Sequence, residues 1–178
     1  MIDRNTGILG ALATGVAILL QHSFMGPPIT PLSAILLLAL GLWLATFTRP
    51  SLLTSRRIRV LYSLATLVQA VHFIEEYAMG FHRDFPALFG YHWTSAQYLT
   101  FNLVALAVFV AAVPGLFLQS RLSLLAVWIL ALVGVSNGLA HTALSVVRGA
   151  YFPGSFSAPV HLLLGCALLY QLWASDRV

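Results

Sequence analysis

Lysine is absent from this 178-residue sequence: all nine basic residues are arginines, and only five residues are acidic. Charged residues make up 8% of the chain against 60% hydrophobic, whereas a water-soluble domain carries about a quarter charged residues. Too few charges remain to cover a soluble surface, so a soluble globular domain is excluded. A single cysteine, Cys166, excludes a disulfide within the chain, and its place in an apolar segment reads as a buried structural thiol. Glycine-rich phosphate loops, a G-x-S-x-G elbow, internal repeats and low-complexity tracts are all missing. The net charge of +4 comes from scattered arginines without interleaved aromatics, which gives no footprint for nucleic acid.

What is present is long apolar blocks separated by Pro, Gly and Arg clusters, the pattern of an all-α, polytopic transmembrane helical bundle. Residues 1–178 read as one integral membrane domain of about six spans: Gly7 to His22, Leu32 to Phe47, Val60 to Gly80, Ala96 to Leu118, Leu122 to Val147 and Ser157 to Trp173. The first two are short against the roughly 20 residues that cross a bilayer. A re-entrant or tilted element, and a total of five spans, therefore stays open. "MIDRNTG" does not read as a signal peptide. Alternating spans put Arg4, Arg49, Arg56, Arg57, Arg59, Arg121 and Arg177 on one side and only Arg83 and Arg148 on the other. The positive-inside rule makes the arginine-rich side cytoplasmic, with both termini inside and the cell (inner) membrane as the location.

Against this apolar background, "VHFIEEYAMG" places His72, Glu75 and Glu76 near the outer end of the third span. At 1.5 Å per residue, His72 lies roughly 12 Å and the glutamates roughly 6–8 Å below that end. Asn102 on span four, His141 on span five with Asn137 a turn deeper, and His161 on span six fall at a similar level. Gln69, His72 and Glu76 share a helix face, with Glu75 beside it, and Asn137, His141, Ser145 and Arg148 form a second stripe. Polar stripes facing lipid are costly, so both are expected to face the bundle. Asn102, Asn137 and Ser145 taken singly are equally well read as interhelical glue. His161 and His22 are expected near the interfaces, solvated or lipid-facing, and His82 and His92 in a surface loop. Arg83 and Arg148 are expected to pair with the glutamates or to bind an anionic headgroup.

The motif His72-Phe73-Ile74-Glu75-Glu76, followed by Asn137, His141 and then Arg148, Tyr151, Pro153 and Gly154 in "RGAYFPG", resembles the HXXEE-domain family of small membrane proteins. The likeness runs from about Val60 to Leu169; spans one and two carry no matching motif. The family has no assigned biochemical activity, so the resemblance implies a membrane fold and a polar site and nothing finer. In mechanism alone, the sterol isomerase type of helical membrane enzyme is similar, with intramembrane acids and a histidine moving protons on a hydrophobic ring.

Three chemistries fit these residues. The first is metal-free acid–base catalysis, isomerisation or cyclisation of a lipid or isoprenoid, with His72, Glu75, Glu76, His141, Asn137 and Asn102 as the catalytic set. Gln69, Phe73, Tyr77, Tyr98, Arg148 and Tyr151 would then contact the hydrophobic substrate. The second is a metal-dependent hydrolase or oxidase. No cofactor is favoured, but a zinc or iron ion would take His72, Glu76 and His141 and leave a position open for water, with Glu75 as general base. The third is a proton-coupled transporter or lipid-binding protein without enzymatic activity. The expected partners are a hydrophobic substrate and membrane lipids; the oligomeric state is not encoded. The "YFPGSFSAP" loop reads as a turn shaping the outer mouth, fixed by Pro153-Gly154.

Overall fold

A computed structural model describes residues 4–174, all of whose regular structure is helical. The eight α-helices are α1 (Arg4–Met25), α2 (Thr30–Thr46), α3 (Pro50–Thr54), α4 (Arg56–Met79), α5 (Phe81–Ala87), α6 (Ser95–Phe117), α7 (Arg121–Arg148) and α8 (Ala158–Ala174), with a 3-10 turn at Pro27–Ile29. Five stretches are long and apolar enough to cross a membrane, namely α1, Pro27–Thr46, α4, α6 and α7. The sixth apolar helix, α8, has 17 residues, a rise of about 26 Å, just short of the ~30 Å hydrocarbon core.

Two expectations change here. Spans one and two are not short: α1 runs 22 residues and the second stretch 20. Helix α1 continues through the polar Gln21 and His22, and α2 is started by a proline-led turn. The connection between spans three and four, expected to be a surface loop, contains helix, as does that between spans two and three. Pro50 opens α3, and α5 follows Gly80, whose φ of +87° terminates α4 in the left-handed conformation that glycine adopts without steric cost.

Side-chain handles fix how the helices alternate. At one end Trp43 Nε1 donates to the Arg121 carbonyl (2.8 Å) and Trp128 Nε1 to Thr46 Oγ1 (3.0 Å). At the other, Trp93 Nε1 donates to the Met25 carbonyl (2.7 Å) and Gln97 Nε2 to that of Phe24 (3.0 Å). Up-and-down alternation follows, with Arg4, Arg49, Arg56, Arg57, Arg59 and Arg121 at the first end and Arg83 and Arg148 at the second; Arg177 lies outside the described residues. Apolar side chains such as Leu19, Ile74, Leu103 and Val147 are mostly exposed around the bundle, as a lipid-facing surface requires. Cys166 is among the exposed residues, not the buried ones: it sits on α8 next to Gly165, and that glycine is the position packed into the bundle.

Helix α7 is the central element, with 61% of its apolar window buried against 22–33% for the others. Leu124, Val127, Trp128, Leu130 and Ala131 pack with Trp43, Ile58, Tyr62 and Leu168 into one core at the arginine-rich end. The α7–α8 contact is made at glycines. A Cβ on Gly165 would stand 2.7 Å from the Ala131 carbonyl, and one on Gly134 2.9 Å from the His161 carbonyl, so both backbones touch where side chains would separate them. Gly165→Val is expected to force α8 off α7 and to destabilise the bundle by about 1–3 kcal/mol. A lowered thermal midpoint in detergent, relative to a Cys166→Ser control on the lipid-facing side, checks this.

Candidate functional site

Consecutive residues on a helix point about 100° apart, and α4 uses this to separate its two glutamates. Glu76 lies one turn above His72 on the inner face; Glu75 points along the bundle surface toward the residues preceding α8. His72 is wholly buried, and Glu76 and His141 are 5% and 3% exposed. His72 Nε2 is 3.4 Å and His141 Nε2 3.3 Å from the same oxygen, Glu76 Oε1. Tyr98 on α6 donates to the other oxygen, Oε2, at 2.6 Å. One ligand-type atom from each of His72, Glu76 and His141 falls within 4.8 Å of the other two, among the described residues a group able to hold a metal ion.

The remaining nitrogen of His72 is also placed. Ser157 Oγ donates to Glu75 Oε2 at 2.5 Å and lies 2.8 Å from His72 Nδ1. With the hydroxyl proton directed at Glu75, His72 Nδ1–H is the donor to Ser157. That tautomer leaves a bare lone pair on Nε2, and Nε2 has no hydrogen-bond partner. A neutral imidazole lone pair facing a carboxylate oxygen is repulsive unless a proton or a cation lies between them.

Glu75 has a different task. Its carboxylate accepts from Tyr151 Oη (2.5 Å), Phe156 N (2.8 Å), Ser157 N (2.8 Å) and Ser157 Oγ. It thereby binds the 149–157 connection to α4 and sets a negative charge at the start of α8, where orphan backbone N–H groups and the helix dipole favour one. Tyr151, outside the helices, has its phenol pushed up to about 12 by burial and then by the Glu75 carboxylate. A raised phenol pKa stabilises the folded loop below the ordinary value near 10 and loses that contribution as the pH climbs to about 12. On the α7 side, Ser145 Oγ meets Ser155 Oγ (2.6 Å) and accepts from Phe152 N (3.1 Å). Held from both sides, the connection lies over the imidazoles. Gly154, at φ +94°, comes so close that a Cβ there would stand 2.5 Å from His141 Cε1 and 2.9 Å from His72 Cε1.

The other sequence candidates divide. The stripe Asn137–His141–Ser145–Arg148 faces the bundle and the connection at His141 and Ser145, while Asn137 is half-buried and takes no part in the bonds of the cluster. Asn102 is buried but bonds the Tyr98 carbonyl of its own helix (3.1 Å); the α6 group touching Glu76 is Tyr98, one turn earlier. Phe73 is half-buried; Tyr77 is 39% exposed and stacks on His82 and on Tyr98. Arg148 pairs with Asp84 at 2.6 Å and not with either glutamate. His92 is exposed and His22 half-buried against Ser33 (2.8 Å), as surface and interface positions require.

The residue that sequence reasoning misplaced is His161. Instead of facing solvent or lipid it is 2% exposed, with its ring 4.8 Å from that of His72 and its Nε2 unpartnered. Its position near the start of a span suggested an interface; the close α7–α8 packing carries it inward. Gln69, a turn below His72, is completely buried with both amide atoms unpartnered. Buried polar atoms of this kind require a partner, such as water, an ion or a ligand.

No family model, curated protein or solved structure matches the chain.

Two substitutions test the connection over the site. Glu75→Gln puts an amide NH2 among four donors and costs at least one charge-assisted bond, about 1.5–3 kcal/mol. Limited proteolysis is expected to cut residues 149–157 about tenfold faster or more in that variant. Gly154→Ala is expected to displace both imidazoles while α4 and α7 remain helical, which shows as altered histidine NMR shifts with an unchanged circular dichroism spectrum.

Proposed function

We propose that the protein is a multi-pass membrane enzyme whose centre is a metal ion, zinc first among candidates, bound by His72 Nε2, Glu76 Oε1 and His141 Nε2. The observation that carries this reading is the approach of two imidazole nitrogens, His72 Nε2 and His141 Nε2, to one carboxylate oxygen at 3.4 and 3.3 Å. Ligands 2.0–2.2 Å from a tetrahedral ion stand about 3.3–3.6 Å from one another. The surrounding contacts support it. A ligating histidine ordinarily donates its other N–H to an oriented acceptor, and His72 does so to Ser157, itself fixed by Glu75. A ligating carboxylate is ordinarily held by a donor, and Tyr98 supplies it.

Three protein ligands would leave a position for water, whose acidity a bound ion would raise, so hydrolysis of a membrane-dissolved substrate is the reaction class this centre would support. His161 Nε2, His141 Nδ1 and the Gln69 amide are orphaned polar groups at or beside the ligands; His161 Nε2 would accept the proton, and the Gln69 amide would hydrogen-bond a polar atom of the substrate. Glu75, with its lone pairs taken by the connection, is a positioning residue and not the general base. By arginine distribution, the centre lies toward the non-cytoplasmic face of the cell membrane. Membership of the HXXEE-domain family fits the same residues.

Tyr98, hydrogen-bonded to Glu76 at 2.6 Å, favours a second reading without metal. Glu76 would then share its proton between Tyr98 and the histidines, and the site would isomerise or cyclise a lipid. A transport role is less well supported, since the core at the arginine-rich end is aliphatic and aromatic and offers no polar path through.

Elemental analysis of protein purified in mild detergent without chelators decides between these readings. About one equivalent of zinc or iron is expected in the wild type, lost in His72→Ala/Glu76→Gln and in His141→Ala but kept in Glu75→Gln. A metal-free wild type, or metal retained in the double variant, rejects the metal centre.

A further inference from the structure

The two arginines at the second end of the bundle border a cavity of about 440 Å³ between α5 and the end of α7, lined by Arg83, Asp84, Leu88, Leu144, Arg148 and Phe152. That volume falls in the range of ligand pockets, about 300–1,000 Å³. Its walls are of two kinds. One carries two guanidinium groups and a single carboxylate, a net charge of +1, with Arg148 bound to Asp84 at 2.6 Å. Arg83 folds across Gly80 and has no ion pair among the described residues. The rest of the lining is mostly aliphatic, and two of its members, Leu88 and Val147, are exposed on the lipid-facing surface. A cationic wall beside an aliphatic one, at the level where the helices end, is complementary to one phosphate charge joined to hydrocarbon.

Phe152 joins this cavity to the buried centre. Arg148 lies over its ring at 6.0 Å, and on the inner side the same ring is 5.9 Å from His141 and 5.9 Å from Phe81. One aromatic side chain separates the groove from a histidine of the cluster. Phe152 belongs to the connection that Glu75 and Ser145 tie down, with its own N–H bonded to Ser145.

We infer that this groove binds the phosphodiester headgroup of an anionic membrane lipid through Arg83 and Arg148, with the acyl chains along Leu88 and Leu144, and so presents a phosphate-bearing amphiphile to the centre past Phe152. The presentation to the centre rests on the metal-site reading above; the binding of the headgroup does not.

The test uses the full chain in phosphatidylcholine vesicles containing spin-labelled phosphatidylglycerol, with spin-labelled phosphatidylcholine as the reference. Wild-type protein is expected to restrict the motion of the anionic label preferentially. Arg83→Gln is expected to reduce that selectivity about fivefold, and Arg83→Gln/Arg148→Gln more, on the attraction of one cation for an anionic headgroup. Arg83→Gln, whose side chain has no ion pair to break, keeps the test valid if the Arg148 change unfolds the α5 region by stranding Asp84. Equal selectivity in wild type and Arg83→Gln, or none in wild type, overturns the headgroup site. Displacement of the label by inorganic phosphate at matched ionic strength overturns the lipid as the source of the phosphate. Selectivity retained in His72→Ala/Glu76→Gln supports the groove as a site in its own right. A metal-free wild type that still selects phosphatidylglycerol supports the groove and removes only its link to a metal-dependent reaction.

Discussion

The structure around the site depends on one buried carboxylate. Glu76 is 5% exposed inside a bundle that offers almost no other charge, and an ionised acid at such depth costs several kcal/mol unless it is paired and hydrogen-bonded. Every neighbour within reach addresses that cost. Tyr98 comes from α6, His72 from the preceding turn of α4 and His141 from α7, so three helices are tied to one side chain. The same contacts leave imidazole nitrogens directed at a common point, and a structural requirement becomes a candidate reactive centre.

Around that carboxylate the second glutamate builds a lid support. Glu75 collects the N–H groups ahead of α8 together with two hydroxyls, and its partner Ser157 reaches back to His72. The connection that closes the centre and the tautomer of a histidine inside it are therefore set by one group. Gly154 completes the arrangement because only a residue without Cβ leaves room for both imidazoles beneath it. Sheltered by this connection, the site can hold polar groups at membrane depth without exposing them to hydrocarbon.

Much of this was legible in the sequence. The apolar blocks gave the helices to within a few residues, since hydrophobic length is a direct consequence of bilayer thickness. Helical phase placed His72 with Glu76 and His141 with Ser145. Other features were not legible. On α6 the sequence points to Asn102 as the catalytic group and to Tyr98 only as a substrate contact, yet Tyr98 is the one that bonds Glu76. The burial of His161 and the exposure of Cys166 depend on the rotation of α8 about its own axis. Periodicity cannot fix that rotation in a helix apolar on nearly every side, and backbone contact at Gly134 and Gly165 sets it instead.

The sequence by itself determined that the chain is an all-helical membrane-type bundle, that its arginines lie mostly at one end, and that acids and histidines gather at the other. Each of these follows from composition and from period along one chain. Tertiary structure alone decided that adjacent glutamates serve different ends, one turned inward to two histidines and a tyrosine, the other outward to a loop. It also decided that Arg148 pairs with Asp84 and that His161 stands against His72. The physical reason is that pairing among buried polar groups is chosen by the relative rotation and closeness of helices, quantities that belong to contacts between segments and to no single segment.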